Sequence, residues 1–105
     1  MDKGLLVLKE NKGNKYGESK IEYGIDAKLE FIDLTDIFNS SLMDKVEILI
    51  LIQHALYVSK GELLYKLVNG ILQLHVGDTN IDEILWNNVG QQIELKMTVV
   101  KECEK

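Results

Sequence analysis

The chain has 105 residues with 12 lysines, 17 acidic residues, one cysteine, and neither arginine nor proline. That length fits a single domain, 1–105, and excludes a multidomain enzyme or a complete (β/α)₈ barrel, which needs roughly 200 residues or more. A 46% apolar content supports a packed core, and a formal net charge of −5 without the arginine fork for phosphate or guanine argues against nucleic-acid and membrane partners.

The N-terminus opens Met1-Asp-Lys-Gly, and the four apolar residues that follow are too few for a signal peptide. Leu5–Leu8 reads as a strand buried on both faces. Residues 11–20 are polar and punctuated by glycine, a hairpin loop. Ile21, Tyr23, Ile25, Ala27, Leu29 and Phe31 then alternate with Glu22, Gly24, Asp26, Lys28 and Glu30, which predicts one long strand with a wet face.

Thr35–Ser41 punctuates, and Ser41 followed by Asp44 places a helix start near 41. The apolar residues of 42–58 predict one long helix. A rival strand reading rests on the β-branched Val46, Ile48, Ile50 and Ile52, and the absence of an internal glycine favours the helix. Glu62–Val68 predicts a short second helix ended by Asn69-Gly70. Ile71–Val76 is a strand, 77–80 a turn, 81–87 one or two helical turns, and Gln91–Val100 a final strand. The tail from about 101, with the lone Cys103, reads as frayed. One cysteine and no apolar run near ~18 residues fit a cytoplasmic protein. Many lysines, isoleucines and asparagines without arginine fit an AT-rich coding sequence. No internal repeat or domain boundary stands out. The expected fold is α+β: a four-stranded mixed sheet on one long helix, in β-β-α-β-β order. With the first strand beside the last, it is β-grasp-like.

No motif for catalysis, cofactor or metal emerges. His54 and His75 are the only imidazoles, neither stands in a nucleophile motif, and His75 with Asp78 lacks the further ligands zinc needs. His75 is read as a solvated histidine at a strand end. Gly13 and Gly17 stand four apart, but Glu18 follows where a phosphate loop needs lysine. Asp78, Asp82 and Glu83 lack calcium-loop spacing. Residues 1–20 carry a net +2 against −7 for the rest, a solvated loop rather than a ligand site.

Two acidic groups remain. Asp78, Asp82 and Glu83 flank Trp86, the only tryptophan, in a segment without lysine. An aromatic anchor with an acidic rim suits a protein interface, while burial of Trp86 in the core is the plainer alternative. Glu22, Asp26 and Glu30 line the outer face expected for the long strand. The expected function is therefore a small acidic non-catalytic module (an inhibitor, immunity-type protein or adaptor) that docks on a basic surface of another protein. The alternatives are a homodimer through the surplus apolar face of 42–58 (Ile50, Leu51, Tyr57, Val58) and a small-molecule-binding domain using His75 and Asp78.

Overall fold

Val46, Ile48, Ile50 and Ile52 are buried while Glu47, Leu49 and Leu51 between them are half-buried, the period of a strand. This pattern comes from a computed structural model, which describes residues 2–13 and 19–100 and the side chains of 2–8 and 21–100. The elements are β1 (Asp2–Gly13), β2 (Ser19–Ala27), β3 (Glu30–Asp33), α1 (Leu34–Asn39), β4 (Lys45–Ile52), β5 (Ala55–Val68), β6 (Ile71–Val76), β7 (Thr79–Asn80), α2 (Ile81–Trp86) and β8 (Gln92–Val99).

The eight strands form one sheet in the order β3-β2-β1-β8-β4-β5-β6-β7, antiparallel apart from one contact. Ser19 and Lys20 of β2 run parallel to Ile71 and Leu72 of β6. That contact links the ends of the run β2-β1-β8-β4-β5-β6 and closes it into a six-strand ring, which removes open edges where it closes. The other end of the same β2 edge carries β3, with Gly24 opposite Asp33. Leu6, Ile25, Ile48, Ile50, Leu63, Leu74, Ile93 and Leu95 form the core, joined by Leu34 and Phe38 of α1 and by Ile81 and Leu85 of α2.

The expected four-stranded sheet on a long helix, and with it the β-grasp-like order, is overturned. Residues 45–58 form a β-hairpin. Gln53 adopts a left-handed φ of 54° and, with His54, reverses the chain, so that Ile52 pairs with Ala55. The continuous apolar run through Val58 is thus two strands read end to end. The β-branched residues of β4 fit there because both of its edges are paired, to β8 and to β5. Glu62–Val68, expected as a second helix, belongs to the 14-residue strand β5. The long strand expected over 21–31 breaks at Lys28-Leu29, a two-residue turn that folds β3 back and leaves Leu29 fully exposed. Helix α1 stands where only punctuation was expected, started by the Asp33 side chain accepting from Thr35 N and Asp36 N. The strands at 71–76 and 92–99 and the short helix at 81–86 match the expectation. The frayed tail lies outside the described residues.

The ring contains an internal duplication that the sequence reading missed. Residues 33–52 align without a gap on 80–99, and both segments run through a capped six-residue helix into a strand that pairs with its counterpart. Met43 (φ 74°) corresponds to Gly90 (φ 93°). Leu6 N donates to Gln91 O at 2.9 Å, and Leu63 N to Asp44 O at 2.9 Å. Gly90 N donates to Leu6 O at 2.8 Å, and Met43 N to Leu63 O at 2.7 Å. The strands entering each half share Lys-Gly-x-Leu, at Lys3–Leu6 and Lys60–Leu63. Their glycines are needed because backbone passes close by. A Cβ on Gly4 would meet Asp26 O at 2.7 Å, and one on Gly61 would meet Gly77 Cα at 2.8 Å.

Candidate functional site

The second half builds its helix from Asn80, whose Oδ1 accepts from Glu83 N at 3.0 Å while its Nδ2 donates to Gln73 Oε1 at 2.6 Å. The cap is thereby tied to β6. Asp82, in the first turn and 7% exposed, accepts from Leu74 N through Oδ2 at 2.6 Å and anchors the helix to the same strand. The equivalent bond in the first half runs from Tyr23 N to Thr35 Oγ1 at 3.3 Å. With Asp82 turned inward, Glu83 and Trp86, three residues apart, share the outward face of α2.

Between α2 and the β2–β6 junction lies a cavity of about 460 Å³. Ile21 and Ile71 supply aliphatic walls, Tyr23 and Trp86 aromatic ones, and Gln73, Asp82 and Glu83 polar groups. No lysine lines it. Trp86 is 54% exposed, so it forms part of the rim rather than plugging the core. Tyr23 is almost fully buried, and its hydroxyl donates to the Asp82 carbonyl at 3.4 Å. Burial, reinforced by the nearby Asp82 carboxylate, raises the pKa of the Tyr23 hydroxyl well above its ordinary value.

The two halves differ here. Thr35, Asp36 and Asn39 of α1 occupy the places of Asp82, Glu83 and Trp86. Tyr65 reaches across to them, its hydroxyl donating to Asn39 Oδ1 at 3.4 Å. Burial, with Asp82 and then Glu22 nearby, also raises the pKa of the Tyr65 hydroxyl. By strand register the counterpart of Tyr65 is Leu8, a shorter and largely exposed residue. The phenol therefore covers the α1 side, while the α2 side keeps its indole at the surface.

Of the seven residues proposed from sequence, the fold gathers Asp82, Glu83 and Trp86 at this cavity and separates the others. Asp78 is exposed on the turn between β6 and β7. Glu22 is buried rather than on a wet face, and Asp26 and Glu30 sit exposed on the β2–β3 hairpin. The sequence reading missed Ile21, Tyr23, Ile71 and Gln73 as cavity walls; their alternation announced strand faces but not that β2 and β6 meet. His75, expected at a solvated strand end, is buried in β6 with Nδ1 2.9 Å from Gln73 O. His54 is exposed on the hairpin turn. Among the described residues no three His, Cys, Asp or Glu side chains converge as a metal site, and no helix is long and apolar enough to cross a membrane. No family model, curated protein or solved structure matches the chain.

Proposed function

We propose that the protein is a small non-catalytic binding module that docks on a basic protein surface and takes a lysine or arginine side chain of that partner into the Trp86 cavity. The observation that carries this reading is the half-exposed indole standing beside Glu83 over a cavity with aliphatic walls. A long cationic side chain fits such a site in two ways. Its methylene stem packs on Ile21, Ile71 and the indole, and its charged head meets Glu83 at the rim. Asp82 already accepts the Leu74 N–H, so it contributes field and position rather than acid–base chemistry. The formal charge of −5 adds long-range attraction to a basic surface.

Titration with a lysine-rich peptide, followed by Trp86 fluorescence, tests the reading against a glutamate-rich peptide of equal length. The basic peptide should bind, and more weakly as salt rises. Glu83→Gln should weaken binding roughly fivefold and Trp86→Ala by more than about tenfold, the latter followed by calorimetry. Equal binding of both peptides, or indifference to Trp86→Ala, would sink it.

A further inference from the structure

On the outer surface of the β4–β5 hairpin, Leu49 lies opposite Val58 and Leu51 opposite Leu56. Leu56 and Val58 are 61% and 56% exposed, and Leu49 and Leu51 are half-buried. Four aliphatic side chains thus form one block on the solvent side of the sheet, away from the cavity beside α2. We propose that this face is where a second copy of the chain docks, giving a twofold-symmetric dimer.

Charge selects the occupant. Around the block, Lys3 pairs with Glu94 at 3.3 Å, Glu47 lies opposite Lys60, and Lys45 lies opposite Glu62. With Lys96 on β8 beside Leu49, the described residues around the block set Lys3, Lys45, Lys60 and Lys96 against Glu47, Glu62 and Glu94. The chain as a whole has a formal net charge of −5, so most of its surface repels its own copy. This face does not. It presents both signs around an apolar centre, so a copy turned by a twofold axis can set lysine against glutamate, as a self-complementary interface requires. A strongly basic or acidic partner finds no net field here to draw it in.

Size is also adequate. Four strands at about 4.8 Å and eight residues at about 3.3 Å span roughly 20 by 26 Å. With side-chain relief that approaches the ~800 Å² per partner of a standard interface. Along Ala55–Lys60 no strand among the described residues pairs with β5 on the side away from β4, so the hairpin stands clear for approach.

Sedimentation velocity from about 0.1 to 500 μM tests the proposal, since that range brackets a micromolar dimer. The native chain should sediment at twice the mass of one chain and dissociate on dilution. High salt should leave the dimer intact, because its centre is apolar. The double variant Leu51→Lys, Val58→Lys should raise the dissociation constant by more than about 100-fold. Its circular dichroism should be unchanged, since neither side chain belongs to the buried core. Leu56→Asp serves as a second, independent probe should the double variant misfold. Trp86→Ala should dimerise like the native chain, which separates this proposal from the function proposed above. A monomeric native chain throughout the range overturns it, whatever else the face captures. So does a dimer that Leu56→Asp leaves intact.

Discussion

Asp82 shows how one side chain acquires two meanings. In the sequence it is one of three acids around Trp86, and its neighbours give no sign that it turns inward. In the fold its carboxylate accepts the Leu74 N–H at 2.6 Å, which satisfies a buried donor and fixes α2 on β6. Asp82→Ala should therefore destabilise the protein by about 1–3 kcal/mol in urea unfolding, because the amide loses its partner in a dry place. Thr35→Ala removes the equivalent, longer bond and should cost less. Tyr23, buried, and Tyr65, half-buried, set an alkaline limit. Their hydroxyls ionise above the ordinary value near pH 10 in the folded chain, so their contribution is complete below about pH 10. As pH rises further the unfolded chain releases these protons first, and stability falls. Tyr23→Phe with Tyr65→Phe should flatten the loss seen in melts above about pH 10, and an unchanged slope would contradict it.

Among the elements, β6, β8 and α2 were legible because their signals are local. Ile71–Val76 alternates between Gly70 and Gly77, Gln92–Val99 alternates after Gly90, and Asn80 with Asp82 and Glu83 marks a helix start. The β4–β5 hairpin was not legible. Val46, Ile48, Ile50 and Ile52 alternate as a strand should, but Leu42, Leu49, Ile52 and Leu56 also fill the positions that suit a helix face. The turn that separates the strands is Gln53-His54, without glycine or asparagine to mark it. The hairpin makes a sharp distinction between neighbouring positions. Ile50→Ala should cost about 2–5 kcal/mol, since its side chain is fully buried. Leu56→Ala should change monomer stability by only about 0.5 kcal/mol. Chemical denaturation at a concentration below dimerisation compares the two. Similar losses would contradict the register of the hairpin.

For the whole molecule, closure of the ring depends on Ser19 and Lys20 meeting Ile71 and Leu72, residues about fifty positions apart. A fold made of such distant pairings should refold slowly for its size, in about milliseconds to seconds. The chain has no proline, so stopped-flow refolding followed by Trp86 should lack any isomerisation phase of tens of seconds. The duplication was hidden for a comparable reason. Along 33–52 and 80–99 only Ile37/Ile84 and Glu47/Glu94 are identical, and what the halves share is backbone: a cap, a helix turn, a left-handed residue and a central strand. By itself the sequence determined the charge balance, the single tryptophan with its acidic neighbours, and the elements whose periodicity is bounded by strong turn residues. Only the tertiary structure decided that 45–58 is a hairpin, that Asp82 turns inward, and that Tyr23 and Gln73 wall a cavity under Trp86. An apolar stretch takes its conformation from the neighbours that cover its faces, and here those neighbours arrive from distant parts of the chain.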